Sequence, residues 1–158
     1  MEEPAGMTTR RTNMSARLAA AEAELANLRA REQPAIRGPN DVAGLIREAC
    51  HPEQETFVVV LLNARQKPLA TIVVGLGSIA HVDVYPREVF RDAVRMNAHS
   101  IVIGHNHPSG YPDPSESDIH LTRRLVEAGR ILGIPVIDHV VVTARGSVSL
   151  TALGVITS

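Results

Sequence analysis

SIVIGHNHPSGYPDPSESD, residues 100–118, joins a short apolar run to two histidines, a bend rich in proline, and an acidic stretch. SIVIG has the β-branched content of a short buried strand. Beyond Pro114, SESDIHLTRRLVEAGRILG keeps apolar residues at helical spacing until Gly133 and Pro135 stop it. PVIDHVVV then reads as a further strand. Strand, loop, helix and strand in that order make the centre of an α/β domain.

Working outward, NDVAGLIREAC predicts a short amphipathic helix with an Asn/Asp cap. ETFVVVLLN is apolar on both faces, as a covered central strand requires. PLATIVVGLGSIAHVDV reads as one or two more strands, with Gly75 and Gly77 marking a bend or bulge. PREVFRDAVRMNA is a helix with Pro86 at its first position, and SVSL closes the sheet. Strands outnumber helices and several links have hairpin length. The expected fold is therefore a mixed β-sheet with packed helices over residues 40–158, not a doubly wound parallel sheet.

Before residue 40 the composition changes. MEEPAGMTTRRTN is polar and expected to be disordered, whereas MSARLAAAEAELANLRAREQ is a helix former. Met14, Leu18, Ala21, Leu25 and Leu28 recur there at alternating spacings of four and three. Such a seam suits self-association through residues 14–32, or a helix lying on its own domain. Pro34 and Gly38-Pro39 end this tail, residues 1–39.

A chain of 158 residues suffices for one domain with a real core and a tail. Its net charge of −1 gives no general field for nucleic acid, and 3% aromatic content supplies few stacking platforms. Cys50 is the sole cysteine, which rules out an internal disulfide and a thiolate zinc cluster. It reads as an inert buried thiol at a helix end. No stretch approaches ~18 apolar residues, so a soluble cytoplasmic protein without membrane contact is expected.

The chemistry sits where the SIVIG strand ends. If the chain stays extended, His105 and His107 point to one side and form a chelate. Pro108, Gly110 and Pro112 bend it back, and Ser115 and Asp118 then stand at the mouth of the long helix. Two imidazoles and a carboxylate leave a fourth tetrahedral position for water, the pattern of a catalytic zinc site. Ser-x-x-Asp before an apolar helix is equally the spacing of a capping box. The two roles are partly compatible, since the helix start fixes where the acid points. A contiguous His-Asn-His is not the signature of the HNH endonucleases, whose three residues are dispersed through a ββα unit. The metallo-β-lactamase pattern fails at Ser109 and Gly110, where it needs Asp-His. An amidohydrolase barrel needs ~250 residues.

HNHPSGYPDPSESD resembles the JAMM (JAB/MPN) metalloprotease motif, His-x-His, seven residues, then Ser-x-x-Asp. The flanks YPREVFRDAVRMNAHSIVIG and TRRLVEAGRILGIPVIDHVVV are similar to its RadC-like bacterial branch. The likeness runs from Asn40 to the C-terminus. It implies a JAB/MPN fold, cytidine-deaminase-like in architecture, and a Zn2+ held by His105, His107 and Asp118. It further implies that Ser115 steadies the tetrahedral intermediate and that an upstream glutamate is general acid/base. The substrate implied is a protein or peptide. RadC proteins typically carry an N-terminal helix-hairpin-helix module, for which the first 40 residues have no room, so a nucleic-acid role loses its usual anchor. A non-catalytic scaffold that keeps the metal for folding is the other alternative.

Three glutamates compete for the general-base role. Glu88 follows Pro86 at a helix start, where an acid favours the macrodipole without catalysis. Glu53 lies in the polar turn HPEQE. Glu55 stands two residues before Phe57, at the head of FVVVLL, and matches the family's upstream glutamate best, with Glu53 the alternative. His139 is expected to pair with its neighbour Asp138 inside a strand. His51, His81, His99 and His120 have no companion at ligand spacing, and Arg123 and Arg124 read as a solvated helix face.

Overall fold

FVVVLL becomes the core of strand β1 (Thr56–Leu62), every residue of which is buried. In the computed structural model, which describes residues 5–77 and 84–157, β1 is flanked by β2 (Pro68–Leu76) and β3 (Ser100–Asn106), both antiparallel to it. Helix α4 (Glu116–Leu132) carries the chain from β3 to β4 (Val136–Thr143), which lies parallel to β3. A tight turn then adds β5 (Gly146–Ser149) antiparallel at the edge. The order β2-β1-β3-β4-β5 is a mixed sheet, as the hairpin-length links predict.

Strand alternation sorts the core into two faces. Phe57, Val59, Leu61, Ile101 and Ile103 pack against α4 and against α3 (Pro86–Arg95), through Val89, Phe90, Leu121 and Leu125. The opposite set, Val60, Leu62, Val102, Val140 and Val142, receives Val42, Ala43 and Ile46 of α2 (Pro39–Ala49). Each such side chain taken fully out of water contributes roughly 1.5–3 kcal/mol. Gly104 lets α2 come close: a Cβ there would stand 2.4 Å from Ile46 Cδ1 and 2.9 Å from the Val140 carbonyl oxygen. The last residues of β3 are thereby pressed from behind.

Two details depart from the sequence reading. The N-cap of α2 is Gly38, with Pro39 opening the helix, and not an Asn or Asp side chain. Proline's fixed φ suits the first helical position, so the helix opens before the Asn/Asp pair, and Asp41 instead accepts the Arg37 backbone N–H at 2.8 Å. Helix α1 (Ala5–Ala30) starts well before Met14, through residues expected to be disordered. It lies on β2 with Ala26 and Ala30 buried, while Met14, Leu18, Leu25 and Leu28 stay exposed. Small alanines allow the close approach, and the larger seam faces away. Arg123 and Arg124 stay exposed, as a solvated helix face requires, and Arg124 also donates to the Val84 carbonyl, tying α4 to the approach of α3. Near Gly75 the β1/β2 register shifts between Phe57 and Val58, the bulge that the glycines foretell. The second strand expected beyond Gly77, and His81 with it, lies outside the described residues. No helix among the described residues is long and apolar enough to cross a membrane.

Candidate metal centre

β3 delivers His105 fully buried and leaves His107 just past its end, with 13% of its side chain exposed. The chain stays extended between them, so both imidazoles reach the α4 face, and their Nε2 atoms stand 2.9 Å apart. Gly110, at φ +83°, then turns the loop back, with its N–H bonded to the His107 carbonyl. The same turn puts the Tyr111 carbonyl 2.8 Å from His107 Nδ1. A carbonyl only accepts, so Nδ1 carries the hydrogen and Nε2 offers its lone pair to the site.

Asp118 arrives from the first turn of α4 and combines the two roles its spacing allows. Ser115 Oγ accepts the Asp118 N–H at 3.1 Å, and Asp118 Oδ2 accepts the Ser115 N–H at 2.7 Å, a complete capping box. The Ser115 hydroxyl also donates to Oδ2 at 2.7 Å. Oδ1 lies 3.5 Å from His105 Nε2, and Oδ2 lies 3.7 Å from His107 Nε2. The helix cap thus aims the carboxylate at the histidines, with Oδ1 the oxygen outside the cap's bonds. Burial by itself would raise the carboxyl pKa, yet the adjacent imidazoles of His105 and His107 and the Ser115 hydroxyl outweigh it and hold Asp118 well below the usual carboxylate range. Asp118 is therefore an ionised group with only 1% of its surface exposed. A buried charge of that kind requires a cationic partner.

The donor set fits a divalent ion. One ligand atom from each of His105, His107 and Asp118 can be chosen so that all lie within 4.8 Å of one another. Two nitrogens bound at ~2.0–2.1 Å with a tetrahedral angle would stand about 3.3 Å apart, a few tenths beyond the 2.9 Å found. Nitrogen and oxygen donors suit zinc and its first-row neighbours.

Glu55 comes to the same place by register. Phe57 pairs with His105 across the antiparallel β1/β3 ladder, so the line extended by two residues sets Glu55 opposite His107. Alternation puts both on the face where Phe57 stacks on His105 at 11°. The Glu55 carbonyl accepts the Gly77 N–H at 2.8 Å, which fixes the backbone there. The pKa of His107 is raised first by the neighbouring Asp118 carboxylate, against the effect of burial, and the charge of Glu55 adds to the rise. Glu53 is exposed in the preceding turn, and Glu88 is engaged with Arg87 and Arg91.

Two further residues of the site escape sequence reasoning. Asn106, between the histidines, points to the opposite face of the sheet. Its Oδ1 accepts the Thr56 N–H at 2.7 Å, and its Nδ2 donates to the carbonyls of His51 and Gln54 at 2.8 and 3.0 Å. One side chain thus staples the turn that leads into Glu55. His139 does not form the expected side-chain pair with Asp138, because neighbours on a strand face opposite ways. Asp138 accepts from Ser149 Oγ and from the N–H groups of His139 and Thr151. The His139 imidazole lies behind the site, with Nε2 2.8 Å from His105 Nδ1 and Nδ1 2.6 Å from Thr122 Oγ1. Burial, with the nearby His105, holds its pKa well below the ordinary histidine value. The signal for both residues is parity along a strand, which a list of neighbours does not contain. Cys50 is half-buried, and burial pushes its thiol up to about 11, as suits an inert cysteine. A cleft lined by Arg47, His51, Asn106 and Thr143 lies on the α2 side of the sheet and reaches His107 at its edge.

The model of the RadC-like JAB domain matches residues 36–155. A "UPF0758 protein" of Desulforamulus reducens is 42% identical over 133 residues, 84% of this chain and 59% of the relative. The protein of the same name in Moorella thermoacetica is 49% identical over 108 residues, 68% of this chain and 47% of its own length. That of Rubrobacter xylanophilus is 45% identical over 111 residues, 70% and 49% of the two chains. The chain spans about half the length of the curated relatives it matches.

Proposed function

The chain belongs to the RadC-like JAB domain family, and on that premise we propose that it is a zinc-dependent peptidase or isopeptidase of the JAMM type. The reading is carried by one observation: two histidine Nε2 atoms and a buried carboxylate converge at the end of β3, with Glu55 opposite His107 in the extended β1/β3 register. His105, His107 and Asp118 would hold the zinc, which when bound would supply Lewis acidity toward a carbonyl and a more acidic water. Glu55 takes the proton from the attacking water and returns it to the leaving amine. Ser115 turns its hydroxyl from Asp118 Oδ2 toward the developing oxyanion, while its backbone N–H keeps the carboxylate in place. A protein or peptide segment supplies the scissile amide. A lone half-buried cysteine suits the reducing cytoplasm, where we place the reaction. The test is zinc-loaded protein against isopeptide-linked, linear-peptide and nucleic-acid substrates, each with a chelator control. Chelator-sensitive cleavage of an amide substrate supports the reading; cleavage of nucleic acid alone overturns it.

We also propose that α1 pairs with a second copy through Met14, Leu18, Ala21, Leu25 and Leu28. The support is that the four larger side chains of the seam stay exposed although the helix is docked through Ala26 and Ala30. Deleting the tail would uncover β2, so substitution is the cleaner test. Leu18→Glu/Leu25→Glu should turn a dimer into a monomer by light scattering without lowering the thermal midpoint. A mass identical to that of the wild type would refute the pairing.

A further inference from the structure

The bonds behind His105 fix more than its position. The Asp118 carbonyl can only accept, so the Thr122 hydroxyl, 2.5 Å away, donates its one hydrogen there. A threonine bonding back to the carbonyl four residues earlier is common in helices. Here its oxygen meets a second partner, His139 Nδ1 at 2.6 Å, and toward that partner it has only a lone pair. Nδ1 of His139 therefore carries hydrogen. The imidazole has no exposed surface, which favours the neutral form with a single N–H. Its Nε2 is then bare and accepts from His105 Nδ1 at 2.8 Å. With hydrogen on Nδ1, His105 turns the lone pair of Nε2 toward His107 and Asp118.

We infer that Thr122 and His139 are positioning residues that lock His105 in the tautomer whose Nε2 can bind a metal. The helix that presents Asp118 thereby also sets the second ligand, through a hydroxyl one turn further on. Valine at 122 would fill the same space and leave His139 Nδ1 without an acceptor. The ring would then be free to place its hydrogen on Nε2 and point it at His105. His105 could answer only with a bare Nδ1, which moves its own hydrogen to Nε2, the ligand atom. The consequence for metal rests on the reading of this site as a zinc centre, whereas the tautomer itself does not.

The experiment is therefore made in two arms on the full chain. Long-range proton–nitrogen spectra of metal-free wild-type protein labelled at histidine should show His139 protonated on Nδ1 and bare on Nε2. The reverse tautomer overturns the inference, whatever the protein binds. In the second arm, zinc affinity is measured by competition with a chromogenic chelator. Thr122→Val should weaken binding about 10–100-fold, the usual effect of losing an outer partner of a ligand, while Thr122→Ser, which restores the hydroxyl, should bind like the wild type. Equal affinity in Thr122→Val, or equal loss in Thr122→Ser, also overturns it. Absence of zinc binding by the wild type would refute the zinc reading and leave the spectra to decide the tautomer.

Discussion

Glu55→Gln is expected to hold as much zinc as the wild type and to lose about 10²–10⁴-fold in hydrolysis, the range for a lost general acid/base. Glu55 is not among the three residues whose donor atoms converge, so metal binding has no reason to fall. The amide is nearly isosteric and keeps the backbone bond between the Glu55 carbonyl and Gly77. What it lacks is a site for water's proton. Elemental analysis and turnover measured on the same preparation separate the two effects. Glu88→Gln is the control, because Glu88 contacts Arg87 and Arg91 on the surface, where such pairs contribute little. If Glu55→Gln turned over like the wild type on a substrate that needs the metal, Glu53 would be the next residue to test.

Asp118→Ala should remove most of the zinc, because it deletes one of three protein ligands and the only negative one. The same change breaks the capping box, since the Ser115 N–H and hydroxyl both donate to Oδ2. A cost of about 1 kcal/mol in stability, typical of a lost cap, should accompany the metal loss. Asp118→Asn distinguishes the two roles. Its amide oxygen can still accept the Ser115 N–H, so most of the cap survives. A neutral ligand, however, holds zinc only weakly. Urea midpoints for the metal-free proteins, set beside their zinc affinities, therefore order the three proteins differently. Full zinc affinity in Asp118→Ala would remove the carboxylate from the proposed site.

The parts of this molecule that were readable in the sequence are those decided by local pattern. FVVVLL is apolar on both faces because β1 has helices on both sides. Gly133, in the left-handed region at φ 68°, ends α4 where the apolar spacing stops. His105, His107 and Glu55 follow from alternation along two neighbouring strands once their register is known. The remainder depends on contacts between distant segments. His139 looks like a partner for Asp138 until the pleat turns the two apart, and its real neighbour, Thr122, is 17 positions away on α4. Asn106 serves a turn 50 residues earlier in the chain. The face that α1 buries against β2 carries Ala26 and Ala30, while Leu25 and Leu28 stay exposed. No periodicity in the tail alone distinguishes those two faces.

His105 and His107, at the end of β3, are the proposed metal ligands that removal tests most directly. Wild-type and His105→Ala/His107→Ala proteins, each incubated with zinc, desalted and verified as folded by circular dichroism, would be compared by elemental analysis. About one zinc per wild-type chain is expected, as for a single catalytic-type site, and close to none in the double variant. Full occupancy in the double variant would contradict the assignment.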